Sequence, residues 1–478
     1  MLKLYKNSLE AIILIALAAV FSLSTPTIHA TTPTLVLSDP PTNFQITTLT
    51  AVAVDSNGTA VIVGYGDTYA GDQLPLVYLL EDGNSTPTLI LSSAPDNFSQ
   101  VFIKSVAMDS EGNALIIGYG TTGFVQTPLI YRLSSGSTTP TLIWSIAPSG
   151  FSNNFLESVA IDSNGNAIIV GRAENLAGDQ VPMIYTLASG SSTPILILSN
   201  AAAGFTGNFL TDVAINSDGN ALIIGYGSDA LFVQSPLIYR VLNNIPSASL
   251  VLSSGEVGFS QNVLNSIALD STGNAIIVGN GYNGLTHCPL VYTLANGSFV
   301  PSLILSTPAT DFTDNTLSSV AVSPTGNAVI VGSGTFNIET KPLVYTLASG
   351  SSSPSLILSD TESGISEAFL ESVSMDLEGN AVLVGTGNNG THNVPIAYTL
   401  QSTSSLVTSI LASSPENFNS CSLTFVNSNS LGNVVMVGNG ENISAVTAPL
   451  VYTLGYSPSP TPTPSSIKRA FSRQPFSR

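Results

Sequence analysis

Charged side chains are scarce in this sequence, and most of them are acidic. Only 9% of the 478 residues are charged, against about 25% in a typical soluble domain. Lys and Arg number 11 and Asp and Glu number 30, so the formal net charge is −19. This composition excludes a disordered polyelectrolyte. It also excludes a nucleic-acid-binding body, which needs a basic surface.

Cysteines, histidines and enzyme motifs are equally sparse. Two cysteines exclude a disulfide scaffold and a Cys-rich metal domain. No G-x-S-x-G elbow, P-loop or HExxH motif occurs. His287 and His392 occupy the same loop of two repeats, so shared ancestry accounts for them better than a zinc site does. We therefore predict no metal, no cofactor and no catalytic residue.

The N-terminal segment differs from the rest of the chain. Residues 1–30 begin with Lys3 and Lys6, continue with the apolar run Ala11–Phe21 and end on the small residue Ala30. The run is shorter than the roughly 20 residues that span a bilayer, which is typical of a cleaved secretory signal peptide. An uncleaved membrane anchor is the alternative. We expect a secreted, periplasmic or cell-surface protein.

The C-terminal segment is separate as well. A Pro/Thr/Ser-rich spacer, residues 456–466, precedes a basic tail, residues 467–478. The tail has four cations and no acid, whereas residues 31–455 have five cations and 29 acids, a net charge of −24. The tail is either a segment that contacts an anionic surface or a disordered end.

Internal repeats organise residues 31–455. The phrase V-A-x-D-S-x-G-N-A, followed by apolar residues and Gly, recurs eight times with substitutions, such as Asn216, Ser323 and Asn429 in place of the Asp. Its turn glycines are 53 or 54 residues apart, at Gly58, Gly112, Gly165, Gly219, Gly273, Gly326, Gly379 and Gly432. A Pro-x-x-Tyr marker recurs in step with them, from Pro75/Tyr78 to Pro449/Tyr452. Two markers in register through eight copies establish a repeat protein.

Each repeat predicts four short strands, which we name a, b, c and d. In the third repeat they are Ser158–Asp162, Asn166–Gly171, Met183–Leu187 and Ile195–Ser199. Four strands in a repeat of about 50 residues are typical of a β-propeller blade. An additional d-type strand, Thr34–Ser38, precedes the first repeat, and the eighth repeat ends after strand c. We therefore predict an all-β, eight-bladed propeller of four-stranded antiparallel blades, closed by the N-terminal strand.

The repeat resembles a secreted bacterial β-propeller repeat family with D-x-x-G-N turns. Asp109–Asn113, Asp162–Asn166 and Asp270–Asn274 carry this pattern. The family is usually described as seven-bladed, whereas this chain has eight repeats. The resemblance implies export and a binding or scaffold role, and it implies no catalytic residue. The turn itself predicts an Asp that caps its own backbone rather than a calcium loop, which needs several acids.

The b–c loops are the predicted binding surface. They change in length and chemistry from repeat to repeat, whereas the a–b turns are nearly uniform. Variable loops on a rigid frame are where recognition usually resides, although unconstrained drift is the alternative. We predict that a monomer binds a protein or glycan on the face formed by the b–c and d–a loops. The candidate ligand-binding residues are Tyr69, Phe124, Phe232, Tyr282 and Phe336.

Two other readings stay open at this point. A secreted glycan-active or other hydrolytic or lyase enzyme would need a pair of loop carboxylates. Candidate acids are Asp67, Asp72, Glu174, Asp179, Asp229, Glu339 and Glu441. A periodic phenylalanine between strands d and a either packs between blades or stacks sugars. The series is Phe44, Phe98, Phe151, Phe205, Phe259, Phe312 and Phe418, with Ile365 in the seventh repeat.

The export hypothesis makes a simple prediction. If residues 1–30 are a cleaved signal, the mature protein begins at about Thr31. N-terminal sequencing of the protein recovered outside the cytoplasm checks this. A mature N-terminus at Met1 would show that the segment is retained.

Overall fold

The structure is a computed structural model that describes residues 32–243 and 245–455. The predicted signal peptide, the spacer and the basic tail lie outside the described residues. All regular structure within these ranges is β, in 32 strands and no helix. The prediction of an all-β fold is therefore confirmed. Since these ranges contain no helix, they contain none long and apolar enough to cross a membrane.

The strands recur in the predicted order a, b, c, d. The a strands are β2 Phe44–Val54, β6 Gln100–Met108, β10 Phe151–Ile161, β14 Gly207–Ile215, β18 Ser260–Leu269, β22 Asp314–Val322, β26 Glu367–Met375 and β30 Phe418–Ser428. The b strands are β3 Ala60–Thr68, β7 Ala114–Thr122, β11 Ala167–Asn175, β15 Ala221–Ser228, β19 Ala275–Tyr282, β23 Ala328–Phe336, β27 Ala381–Asn388 and β31 Val434–Asn442. The c strands are β4 Gln73–Leu80, β8 Val125–Leu133, β12 Gln180–Leu187, β16 Gln234–Val241, β20 His287–Leu294, β24 Glu339–Leu347, β28 Asn393–Leu400 and β32 Thr447–Leu454. The short d strands are β1 Thr34–Leu37, β5 Thr88–Leu91, β9 Thr141–Trp144, β13 Ile195–Leu198, β17 Ala248–Leu252, β21 Ser302–Leu305, β25 Ser355–Leu358 and β29 Val407–Leu411.

Neighbouring strands of a repeat pair antiparallel, in the order a–b–c–d. Strands β18–β21, β22–β25 and β26–β29 form separate four-stranded sheets. Isolated parallel bridges, such as Gln180↔Gly207, link other repeats into larger sheets. None of the sheets in the described part of the chain closes on itself.

The N-terminal strand β1 pairs with the last strand, β32. Thr34 lies opposite Thr453, and Leu35 lies opposite Tyr452. In the other repeats the same place beside strand c is taken by the strand d that follows it, as β5 does beside β4. The predicted pairing of the N-terminal strand with the eighth repeat is therefore observed.

The b strands are buried on both faces, as their continuous apolar sequences predict. In β11, Ile169 belongs to a core cluster that includes Ile117 of the preceding repeat. Its neighbours Ile168 and Val170 belong to a cluster with Leu210 of the following repeat. Alternate side chains of a strand point to opposite faces, so each b strand packs against two other repeats.

The a–b turns are held by their own side chains. Oδ1 of Asp109 accepts hydrogen bonds from the backbone N–H groups of Glu111 (2.9 Å) and Asn113 (2.8 Å), while Gly112 takes a positive φ of 84°. Oδ1 of Asn113 accepts from the N–H of Ser135, which ties this turn to the c–d turn. Asn216 accepts the equivalent backbone bonds in the fourth repeat. The predicted structural role of the motif is confirmed.

The a strands begin earlier than the sequence predicts. In the third repeat strand a starts at Phe151 instead of Ser158, and its register shifts between Leu156 and Ser158. This β-bulge leaves Glu157 without a direct partner and bends the strand. Opposite it, a Cβ on Gly171 would overlap the carbonyl oxygen of Phe155. The first glycine of the b-strand G-x-G pattern is therefore required by the bulge.

The periodic phenylalanines pack on their own b strands and belong to core clusters shared with the preceding repeat, as Phe151 and Phe205 do. Phe44 is only 5% exposed, and a Cβ on Gly66 would lie 2.6 Å from its ring. Phe205 and Phe418 cover Gly227 and Gly440 in the same way. The Pro-x-x-Tyr tyrosines are buried too. The packing role predicted for both series is confirmed.

The β1–β32 pairing generates a prediction. A chain that begins at Asp39 lacks β1 and leaves the outer edge of β32 unpaired, with Leu35 removed from its core cluster. We expect it to lose several kcal/mol of unfolding free energy, out of a total of roughly 5–15 kcal/mol. A chain that begins at Thr34 retains the strand and is the control. Chemical unfolding compares the two, and equal stability would contradict the role of β1.

Candidate functional site

The b–c turns carry three of the five predicted aromatic residues at their tips. Tyr69, Phe124 and Phe232 lie directly between strands b and c of their repeats, and their side chains are 67%, 98% and 85% exposed. Tyr282 and Phe336 end strands β19 and β23, and both are half-buried. The five residues therefore do not form one exposed set.

The two half-buried aromatics contact residues of their own repeats. The ring centroid of Tyr282 is 5.2 Å from that of His287, which lies directly opposite it in β20. The centroid of Phe336 is 5.6 Å from that of Phe312. Both side chains close the ends of their strands, so substituting them disturbs packing as well as any surface.

The tips also include aliphatic residues that the sequence analysis missed, because it considered only aromatics. We define the apolar tips as the large apolar residues of the b–c turns that are at least two-thirds exposed. They occur in seven of the eight b–c turns and are Tyr69, Phe124, Leu176, Leu231, Phe232, Leu285, Ile338 and Ile443. The shared turn position was the signal that could have found them. Recurrence of a large exposed apolar residue in the same turn of seven repeats separates these residues from single apolar side chains, which are common on protein surfaces.

Two of the apolar tips have a left-handed backbone. Phe232 has a φ of 62° at the place that Gly71 and Gly178 occupy in turns with the same hydrogen-bond pattern. Ile338, which is β-branched, has a φ of 72°. The left-handed region costs a residue with a side chain about 1–2 kcal/mol. An apolar side chain at such a position contributes nothing to the core, so the strain points to a role at the surface.

Four of the seven candidate loop acids, Glu174, Asp179, Asp229 and Glu339, contact groups of their own repeats. The carboxylate of Glu174 accepts a hydrogen bond from Asn153 (2.8 Å), and that of Asp229 caps its own turn through the N–H groups of Leu231 and Val233. Glu339 pairs with Lys341 at 2.8 Å. None of the candidate loop acids is placed against another by these contacts. The hydrolytic reading gains no carboxylate pair from the b–c loops.

A cavity of about 620 Å³ is lined by the a strand of every repeat. We call it the shared cavity. Its lining includes the residues at the β-bulges and those that follow them, namely Ala51, Lys104, Ser105, Glu157, Ser158, Thr211, Asp212, Asn265, Ser266, Ser318, Ser319, Glu371, Ser372, Thr424 and Phe425. The volume falls within the range of about 300–1,000 Å³ that is typical of small-molecule sites.

Aromatic residues of the first four repeats form a continuous arc beside this cavity. We define the aromatic arc as Tyr65, Phe102, Tyr119, Phe155, Phe209 and Tyr226, together with Arg172. Neighbouring ring centroids are 4.8–5.0 Å apart, and the Arg172 guanidinium lies over the rings of Phe155 (4.7 Å) and Phe209 (5.2 Å). The arc adjoins the cavity because Arg172 pairs with the cavity residue Glu157 at 3.1 Å.

Two carboxyl groups in the shared cavity have raised pKa values. Burial raises the pKa of Asp212 to about 6, although its carboxylate accepts hydrogen bonds from Val213 N (2.8 Å), Ile267 N (3.2 Å) and the Ser158 hydroxyl (3.1 Å). Partial desolvation also raises the pKa of Glu371, which lines the cavity and is exposed to solvent there. These acids are on strand a and were not among the sequence candidates.

The remaining candidates are occupied structurally. The Nδ1 atom of His392 contacts the Thr391 hydroxyl at 2.8 Å, within its own loop. Cys288 and Cys421 are free and buried. Within residues 32–243 and 245–455, no three His, Cys, Asp or Glu side chains are grouped to hold a metal ion.

Similarity to known proteins was found only among solved structures. No protein-family model matches the chain, and no curated protein is significantly similar to it. Sqt1 from Chaetomium thermophilum is 12% identical, with a TM-score of 0.52 over 86% of this chain and 97% of that one. The WD40 domain of SCAP from fission yeast is 13% identical, with a TM-score of 0.46 over 89% and 98%. A prolyl endopeptidase is 11% identical, with a TM-score of 0.49 over 86% of this chain and only 55% of that chain.

At these identities the likeness concerns the fold and nothing else. Repeated four-stranded antiparallel sheets, with a structural match over most of both chains to Sqt1, give an all-β repeat fold of the β-propeller type. The alignment spans little more than half of the endopeptidase chain. The resemblance to the secreted bacterial repeat family stays a prediction.

Asp212 generates a pH prediction. Its pKa is raised from 3.8 to about 6 on folding. The folded chain therefore binds the Asp212 proton more tightly than the unfolded chain does. The contribution of this proton to the unfolding free energy falls as pH rises from about 4 to about 6. Between pH 5 and pH 7.5 the loss is about 1.4 kcal/mol. Asp212→Ser removes this pH dependence and should preserve the fold. Ser319 and Ser372 occupy the equivalent positions of later repeats, and their hydroxyls accept a hydrogen bond from a backbone N–H of the next repeat. Unfolding free energies at both pH values check it. Identical pH dependence in both chains would refute the assignment.

Proposed function

We propose that the chain is an exported, non-catalytic binding scaffold whose b–c turns engage a protein or glycan partner. The observation that carries this proposal is the set of apolar tips, which are 67–98% exposed in seven of the eight b–c turns. They stand on b and c strands that are almost completely buried. Exposed apolar groups on a rigid base bind with little loss of conformational freedom, which favours recognition.

We further propose that the repeats form a closed ring of eight blades. Contacts between the eighth and first repeats support it. The Thr47 hydroxyl donates to the carbonyl oxygen of Thr447 (2.9 Å), and the N–H of Leu49 donates to Asn439 Oδ1 (2.9 Å). Asn429 Nδ2 donates to the carbonyl oxygen of Asp55 at 3.1 Å. These repeats thus contact each other as sequence neighbours do elsewhere in the chain.

Apolar tips favour a protein partner over a nucleic acid or an anionic polymer. Residues 31–455 have a net charge of −24, which repels polyanions. Aliphatic tips such as Leu176, Leu285 and Ile338 offer no hydrogen bonds. They gain free energy only by covering apolar surface on a partner, at roughly 25 cal/mol per Å².

A second function, cleavage of a glycan by a hydrolase or a lyase, has one observation in its favour. It is the presence of Glu157, Asp212 and Glu371 in the shared cavity rather than any pair of loop acids. Burial raises the pKa of Asp212 and of Glu371, as general acids require. Turnover of polysaccharide by the purified chain, abolished by Glu371→Gln, would establish it in place of the scaffold.

The tip hypothesis is tested with a variant that the fold tolerates. Phe124→Ser, Phe232→Gly and Ile338→Gly remove three tips, and the two glycine substitutions also relieve the left-handed strain. We expect an unchanged or higher melting temperature. Partner binding falls by more than about tenfold, equivalent to ~1.4 kcal/mol. The measurement compares secreted proteins and glycans retained by immobilised wild-type and variant chains.

A matched control lies at the other end of the b strands. Leu377 and Leu431 are exposed leucines of the a–b turns, and Leu377→Ser with Leu431→Ser removes them. This control should retain every partner. If the control loses the partner and the tip variant keeps it, the binding face is the a–b face and the proposal is wrong.

A further inference from the structure

The aromatic arc is asymmetric, although its positions exist in every repeat. Each repeat pairs one a-strand residue with the middle residue of the b-strand G-x-G pattern, as Phe102 pairs with Tyr119 and Phe209 with Tyr226. In the later repeats the same pairs are Val263/Asn280, Thr316/Ser333, Phe369/Thr386 and Ser422/Asn439. Six of the eight residues in the first four repeats are aromatic, against one of eight in the last four.

The fold does not require aromatic residues at these positions. The small polar pair Thr316/Ser333 stands on the same bulge geometry as Phe102/Tyr119, with the same register shift after the next residue, Leu317 in one strand and Ile103 in the other. The arc rings are also only half-buried. Their burial therefore explains little of their presence, and the later repeats provide an internal control for the scaffold.

Polar groups of both charge signs surround the arc. Lys104 lies over the Tyr119 ring at 5.8 Å, and Glu157 pairs with Arg172. Lys104 and Arg172 are two of the five cations in residues 31–455. Glu371 lines the same cavity and, within the described residues, has no hydrogen-bond or ion-pair partner. The site thus combines aromatic faces with free donors and acceptors.

This combination selects among ligand classes. An organic cation is disfavoured, because the Arg172 guanidinium already lies over Phe155 and Phe209. A polyanion is disfavoured by the acidic body. A neutral pyranose fits at the ends of the arc, where Tyr65 and Tyr226 each contact only one of the other rings. Its C–H face stacks on such a ring while its hydroxyls donate to carboxylates and accept from an ammonium.

We propose that the aromatic arc and the shared cavity form a binding site for neutral carbohydrate. The inference rests on the closed ring of the proposed function, and it names a second site distinct from the apolar tips. Strand a reaches the arc residue before it reaches the residues that line the cavity, as Phe102 comes before Lys104 and Ser105. Its partner in strand b, Tyr119, lies toward the end of that strand, where the b–c turn begins. The arc therefore lies on the side of the cavity that faces the b–c turns. A glycan end enters from that side, stacks on the arc and reaches Lys104 and Glu371 with its hydroxyls.

The chain itself provides the substitutions for the test. The arc variant carries Phe102→Thr, Tyr119→Ser, Phe209→Val and Tyr226→Asn, which are the residues of the sixth and fifth repeats. The control variant carries Thr316→Val and Ser333→Asn, which exchanges one non-aromatic pair for another that the fifth repeat already uses. Both should fold, and thermal unfolding verifies that they do.

The probe is an array of neutral and uronic-acid oligosaccharides, followed by titration calorimetry with the best-bound neutral oligosaccharide and with choline. We expect the wild-type chain to bind neutral oligosaccharides. The arc variant should bind at least about tenfold more weakly, or ~1.4 kcal/mol, and the control variant as the wild type does. The tip variant described above should also retain carbohydrate binding, because its substitutions are outside the arc.

The opposite outcomes are distinct. Absence of binding to every neutral oligosaccharide at millimolar concentration overturns the inference, as does equal binding by the arc variant. Binding of choline or of uronic-acid oligosaccharides alone overturns the carbohydrate class. Loss of carbohydrate binding in the tip variant, with the arc variant unaffected, leaves the scaffold function intact and transfers the glycan to the b–c turns.

Discussion

The structure depends on the burial of each b strand between two other repeats. Ile168 and Ile169 are adjacent in β11, yet they belong to core clusters shared with different neighbours. A single repeat therefore cannot bury its own middle strand, and the free energy of folding belongs to contacts between repeats. The remaining features, from the capped turns to the glycines opposite each bulge, hold the strands at the spacing that this packing needs.

Much of the fold could be predicted because its signals are local and repeated. The aspartate, asparagine or serine that caps each a–b turn acts within five residues, and the burial of the b strand follows from its apolar composition. The early start of strand a could not be predicted, because the bulge at Glu157 breaks the two-residue alternation by which a strand is recognised. The pairing of β1 with β32 joins residues more than 400 positions apart, and it was predictable only because the chain carries a d-type strand before the first repeat and lacks one after the eighth.

The candidate site was less predictable, for the same reason. The b–c turns were identified as variable, but exposure separates Phe124 and Phe232 from Phe336 only in three dimensions. The aromatic arc joins residues of strands a and b whose register depends on the bulge, and it crosses repeat boundaries. Its one visible signal was the middle position of G-x-G, which is Tyr65, Tyr119, Arg172 and Tyr226 in the first half and small or polar afterwards.

The pairing of β1 with β32 has a consequence for the order of folding. Thr34 finds its partner Thr453 only after the last repeat has been made, so this contact cannot form during synthesis of the earlier repeats. Packing between successive repeats closes only short loops. The pairing of β1 with β32 instead closes a loop that contains almost the whole fold, and the entropic cost of closing a loop grows with its length. Association of the first strand with the last is therefore the natural final step of folding. Until it occurs, the outer edge of β32 is open to the first strand of another copy of the chain, which is the geometry of domain swapping.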